Sequence, residues 1–139
     1  MSAQNVEVVR RVYAALAKAT RSGELVDFAG EAATELLDPD VEFLGTVGGL
    51  AEGEVSRGPE EFARAMFEDR QEWEQVEFEP TEFVDAGDRV VVRQREHRRG
   101  LHSGIELHDE TAAVVWLRDG RVWRIQGYMD PQAALEAVR

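Results

Sequence analysis

Residues Glu110–Val138 read ETAAVVWLRDGRVWRIQGYMDPQAALEAV. Two apolar runs, Ala112–Leu117 and Val122–Met129, flank the pair Asp119-Gly120. A tight two-residue hairpin turn needs φ > 0 at both central residues, and Asp-Gly accepts this at little cost. The second run stops at Asp130-Pro131. Asp is a good N-cap and Pro a good first helical residue, so Gln132–Val138 is predicted to be a closing helix. A hairpin apolar on both faces needs cover on both sides. One face is expected to meet helices, and the other a further surface such as a second subunit.

Working outward, the 139 residues suit one ordinary domain spanning 1–139. The apolar share of 43% is enough for a core, and no apolar run approaches the roughly 18 residues that a membrane span needs. The start MSAQNVEVVRR lacks the basic-then-apolar pattern of a secretory signal. The chain has no cysteine, which excludes disulfides, thiolate metal sites and a Cys nucleophile and fits a cytoplasmic location. A net charge of −12 repels nucleic acid and anionic membranes, so neither is expected as a partner.

Val6, Val9, Val12, Tyr13 and Leu16 follow helical spacing, with Ser2 or Asn5 available as a cap and Gly23 as a stop. A second helical pattern runs from Leu25 through Phe28 to Leu37 and is expected to end at Asp38-Pro39-Asp40, before a short strand Val41–Leu44. Gly45–Gly58 holds five glycines and reads as a connector or, less simply, as a mobile lip over a pocket. Gly58-Pro59-Glu60-Glu61 opens a further helix whose apolar side carries Phe62, Ala65, Met66 and Trp73. From Glu74 the period changes to two. Pro80 suggests an edge strand or bulge, Val90–His97 a strand, Arg98–Gly104 a turn and Ile105–Leu117 a long strand. Helices, then a run of antiparallel strands, then a short helix make the class α+β, with helices on one face of a curved sheet.

Strand parity assigns faces. Trp123, Ile125, Gly127 and Met129 form the more apolar face of the last strand and are expected to look inward. Val90, Val92, Gln94 and Glu96 are the inward set of their strand, because Arg93, Arg95 and His97 occupy the other. Ile105–Leu117 stays open. Either a bulge near Asp109-Glu110 switches its parity, or a partner covers its odd face. The hairpin is expected to set Val114 and Trp116 on the face of Ile125 and Gly127.

The segments VRRVYAAL, LLDPDVEF, RGPEEFARAMF, FVDAGDRVVVRQRE and VVWLRDGRVWRIQGYMDPQAALEAV, in this order, resemble the nuclear transport factor 2-like superfamily. The resemblance is to its SnoaL-like branch, the relatives of polyketide cyclases and ketosteroid isomerases. It implies a cone-shaped α+β barrel of cystatin-like type, with the helices on the concave face of the sheet and a deep pocket between them. It also implies a homodimer through the outer sheet face, where Val91, Val115, Leu117, Val122 and Tyr128 are expected. Val12, Phe43 and the Ala113-Val114 region stand where ketosteroid isomerases carry a Tyr and two acids. Tyr13 is one residue out of register with that Tyr. Gly127 stands where SnoaL-type cyclases carry an acid, and Asp130 is better explained as the N-cap.

Candidate chemistry follows. Glu96, His108 and Glu110 are the candidate catalytic residues, converging at the pocket mouth if even parity holds on Ile105–Leu117. A carboxylate in an apolar pocket has a raised pKa and can serve as acid or base. Tyr13, Phe28, Phe43, Phe62, Met66, Trp73, Val92, Trp116, Ile125, Gly127 and Met129 are the candidate ligand-binding set. In particular, Phe62, Met66 and Trp73 are expected to lie over a sheet face bearing Trp116, Ile125 and Met129. His97, His102 and His108 lie close in sequence, but a hairpin centred near 101–102 sets His108 across from Arg95 and argues for solvent-facing histidines over a metal site. Neither metal nor cofactor is expected. Arg93, Arg95, Arg98 and Arg99 are expected to pair with acids rather than hold an anion. The function read from these residues is binding of a small apolar molecule, with isomerase, cyclase or hydratase chemistry by proton transfer. The alternative is a non-enzymatic binding or dimeric interaction module.

Overall fold

The computed structural model describes residues 2–22, 35–68 and 73–139. Helix α1 (Ser2–Ser22) is followed by strands β1 (Leu37–Val47) and β2 (Val55–Arg57) and helix α2 (Gly58–Glu68). Strands β3 (Trp73–Asp85), β4 (Arg89–Gly100), β5 (Glu106–Arg118) and β6 (Arg121–Tyr128) come next, and helix α3 (Pro131–Ala137) closes the chain. The strands form one six-stranded sheet in the order β2-β1-β6-β5-β4-β3. The fold is α+β, as expected. Two details of the expected sheet are corrected. It is open at both edges rather than a closed barrel, and it is mixed, because β1 joins β6 in parallel.

The local signals worked where they were strong. Asp119 and Gly120 take φ of 55° and 77° and turn β5 into β6. The Asp130 side chain accepts a hydrogen bond from the Gln132 N–H at 3.0 Å, and Pro131 opens α3 behind it. Pro80 lies on edge strand β3, beside a register shift between Pro80 and Glu82. Val9, Val12 and Leu16 are the buried stripe of α1. Asn5 sits inside α1 and donates instead to the Gly87 carbonyl, at 2.9 Å, pinning the helix to the β3–β4 turn.

Other boundaries moved. The helix expected over Leu25–Leu37, Phe28 included, falls largely on residues 23–34, outside the described residues. Asp38-Pro39-Asp40 does not precede the strand but belongs to it; β1 absorbs the proline in a register shift between Leu37 and Glu42. Trp73 does not continue the apolar side of α2; that helix ends at Glu68, and Trp73 begins β3 opposite Gly100.

Two apolar layers sandwich the sheet. On one face α1 and α2 cover Val90, Val92, Ala113, Val115, Leu117, Val122 and Ile125. On the other, α3 brings Ala134, Leu135 and Val138 against Val91, Ala112, Val114, Trp116 and Tyr128. This settles β5. Its odd residues Ala113, Val115 and Leu117 belong to the face covered by α1 and α2, with Val115 opposite Ile125 and Ala113 opposite Gly127. Val114 and Trp116 therefore do not share the face of Ile125 and Gly127, which corrects the expected hairpin faces. A register shift between Trp116 and Leu117, opposite Trp123, also turns Val122 inward beside Ile125. Trp123 stays out, flanked by the guanidiniums of Arg118 at 4.9 Å and Arg124 at 4.6 Å. Of the five residues expected on the outer face, only Val91 and Tyr128 belong there.

Candidate active site

A cavity of about 250 Å³ lies between α1, α2 and the inner face of the sheet. Val12, Tyr13 and Leu16 enter it from α1, Phe62 and Ala65 from α2, and Phe43 from β1. Phe43 and Phe62 meet edge to face, with centroids 5.3 Å apart. Phe78, Ala113, Ile125 and Gly127 complete an apolar wall. Gly45, Thr46, Ala51 and Glu54 border the cavity from the β1–β2 hairpin, so the glycine-rich segment forms part of a pocket wall.

One end of the cavity is polar, and β4 builds it. Parity puts Gln94 and Glu96 inward, as the sequence predicts, with Arg98 beyond them. The Tyr13 hydroxyl donates to Gln94 Oε1 at 2.7 Å. Gln94 Nε2 donates to Thr111 Oγ1 at 3.1 Å, and Thr111 donates to Glu96 Oε1 at 3.3 Å. An Arg98 nitrogen lies 3.6 Å from Glu96 Oε2. Burial raises the Glu96 carboxyl above the usual carboxylate range, and the Arg98 charge works against that shift. Burial, followed by the nearby Glu96 charge, raises the Tyr13 phenol, which keeps its proton as a donor.

The other expected site residues divide. Tyr13, Phe43, Phe62, Glu96, Ile125 and Gly127 do meet in the cavity. Val92 is core beside it, not lining. Met66 and Trp73 lie in α2 and β3, with side chains outside the described residues. Trp116 belongs to the outer layer, and Met129 is exposed past the end of β6. His108 and Glu110 do not line this cavity: they are even residues of β5, opposite His97 and Arg95, and they share with Glu96 a separate groove along β3, β4 and β5. Three of the four arginines pair with acids as expected: Arg95 with Glu110, Arg98 with Glu96 and Arg99 with Glu106.

Gly127 has two neighbours to serve. A Cβ there would approach Thr46 Oγ1 to 2.6 Å, so the glycine admits the Thr46 side chain from the parallel strand as well as bordering the cavity. Thr111 and Thr46 were missed by sequence reading. Thr111 needed the parity of β5, and Thr46 needed the β1–β6 pairing, which no local pattern announces.

A SnoaL-like domain is matched over residues 9–125, and the chain belongs to this family. No curated protein matches the sequence. Among solved structures, an NTF2-like protein of unknown function from Burkholderia pseudomallei is similar, at 21% identity over 97% of each chain with a TM-score of 0.70. TerC, crystallised with polyporic acid, has 22% identity over 97% of this chain and 98% of its own, with a TM-score of 0.70. A protein of ketosteroid isomerase-like fold from Catenulispora acidiphila, in complex with trimethylamine, has 16% identity over 84% of this chain and 83% of its own, with a TM-score of 0.67. At these identities the likeness establishes the fold.

Proposed function

We propose that this protein binds a small, largely apolar molecule with one polar end and moves a proton at that end, with Glu96 as acid–base. The observation that carries the reading is a half-buried carboxylate of raised pKa in a cavity whose walls from α1, α2 and β6 are largely apolar. Apolar walls offer few hydrogen bonds, so they select against ligands that would lose hydration there. Two of the similar structures hold small organic molecules, and a ligand of that size class is proposed here. For a ketone, the ionised Glu96 carboxylate takes a proton from the carbon beside the carbonyl. The C–H electron pair becomes the carbon–carbon double bond of an enolate and the carbonyl π pair moves to the oxygen, which the Tyr13 hydroxyl meets on turning from Gln94. Return of the proton at another carbon is an isomerisation; capture of an internal electrophile is a cyclisation.

The test is deuterium exchange from heavy water into flat apolar ketones that raise the melting temperature. Glu96→Gln keeps the shape, and is expected to retain binding while slowing exchange by about 10²–10⁴-fold. Its stability carries a matching signature. A carboxyl whose folded pKa is raised holds its proton more tightly when folded, so ionisation costs stability as pH rises through the unfolded and then the folded pKa. Glu96→Gln is expected to melt higher than wild type at pH 8 and equally below about pH 4. Retained binding with unchanged exchange would leave the second reading, a non-catalytic binding module. Gln94, Thr111 and Arg98 favour that reading in so far as they hold Glu96 as a fixed acceptor.

We place the protein in the cytoplasm as one domain and propose a homodimer through the outer sheet face. The support for the dimer is the half-buried aromatic surface of Trp116, Trp123 and Tyr128 beside α3. Light scattering that finds only the monomer mass at micromolar concentration would overturn it. Among the described residues no helix is long and apolar enough to cross a membrane.

A further inference from the structure

The outer face of the sheet holds a second group of chemically competent side chains, away from the cavity. The β4–β5 hairpin turns one residue later than the sequence suggests, which shifts the pairing by two, because β4 runs on to Gly100. His108 therefore lies directly opposite His97, not Arg95. Glu77 lies opposite His97 on its other side, on β3, and Glu106 is opposite Arg99 in the next row. Residues directly opposed on neighbouring antiparallel strands bring their Cβ atoms to about 4.5–5.5 Å. The two imidazoles accordingly stack, with centroids 4.2 Å apart and 11° between their planes.

We infer that His97, His108 and Glu106 form a binding site for a divalent transition-metal ion of the zinc class. One ligand atom from each of the three lies within 4.8 Å of the others. Metal–nitrogen bonds of about 2.0–2.1 Å place ligand atoms roughly 3–4 Å apart, so side-chain rotation alone closes the set. His97 Nε2 is a buried nitrogen with no hydrogen-bond partner, which is costly unless something occupies it. It lies 4.0 Å from Glu106, and His108 Nε2 lies 4.0 Å from the other Glu106 oxygen.

The surroundings fit a cation. Arg99 occupies Glu106 Oε1 through two N–H donors, at 2.6 and 3.2 Å, and leaves Oε2 turned to His108. A Glu77 oxygen stands 3.9 Å from His97 Nδ1. A small turn of either side chain would bring the two to hydrogen-bond distance, where a carboxylate on one imidazole nitrogen leaves the lone pair of the other for a metal. Two imidazoles and one carboxylate suit zinc, nickel or copper rather than calcium or magnesium. Three ligands leave the remaining positions to water, which reaches His97 and His108 from an open groove of about 480 Å³.

The experiment is calorimetric titration of the untagged, full-length protein with Zn²⁺ alone, in a non-chelating buffer near pH 7.5. One equivalent is expected to bind per chain. His108→Ala, at a mostly exposed position that leaves the fold intact, is expected to weaken binding at least tenfold. Glu77→Gln is expected to weaken it by about tenfold, as the loss of a carboxylate behind a ligating histidine does. His102→Ala, in the turn outside the cluster, is expected to change nothing. Absence of binding, binding at wild-type affinity in His108→Ala, or loss of binding in His102→Ala would each overturn the site.

Discussion

Phe62→Ala is expected to lower the unfolding free energy by about 3–5 kcal/mol, the range for truncating a buried phenylalanine. Phe62 is 2% exposed and anchors α2 in the core over the sheet. Its ring packs edge to face on Phe43, and both rings line the cavity. Removing it takes away apolar burial and an aromatic contact together, and the space left joins the existing void. The urea midpoint should fall with little change in slope. Ligand selection should move the other way: compounds too large for the native cavity should bind to Phe62→Ala below its melting temperature. A loss under about 1 kcal/mol would show that α2 is not held by this side chain.

Gly45→Ala is expected to cost about 3 kcal/mol, at the upper end of overpacking penalties. A Cβ at Gly45 would overlap the Ala51 carbonyl group, which is backbone and cannot rotate aside. Gly45 cannot retreat either. Its N–H donates to the Glu54 carbonyl at 2.9 Å, and its carbonyl accepts from Gln126 Nε2 at 2.7 Å. The strain has to open the β1–β2 hairpin, and Thr46, Ala51 and Glu54 of that hairpin border the cavity. Stability and ligand affinity should therefore fall together. Gly53→Ala is the control, because nothing lies within 4 Å of its Cβ and only its φ of +93° is strained. Its cost should be about 1–2 kcal/mol, with ligand affinity unchanged. Equal effects of the two substitutions on affinity would remove the hairpin from the pocket wall.

The cavity was partly legible before any coordinates. Arginines and a histidine on one side of β4 made the other side the inward one, and Gln94 and Glu96 are found there. Helical spacing named Val9, Val12 and Leu16, and the glycine on β6 marked a place of close approach. Parity failed on β5, because Ala112 and Val114 are as buried as Ala113 and Val115. A strand covered on both faces has no polar side to betray its orientation. His108 and Glu110 lie at even positions of β5 and so stand outside the cavity. On β6 the register shift opposite Trp123 sends Val122 to the same side as Ile125, and an alternation rule cannot count across it.

The sequence by itself determined what short-range chemistry controls. Asp119-Gly120 makes a turn because its backbone tolerates positive φ, Asp130-Pro131 starts a helix because it caps one, and the apolar spacing of α1 buries one stripe. Only the tertiary structure decided which distant pieces meet. The parallel pairing of β1 with β6 places Thr46 on Gly127, the docking of α3 covers part of the outer face, and a hairpin turning one residue late sets His108 on His97. Each of these depends on packing between segments far apart in the chain. A strand's side chains change face with every residue of register, so an error of one or two positions in a turn moves a whole site.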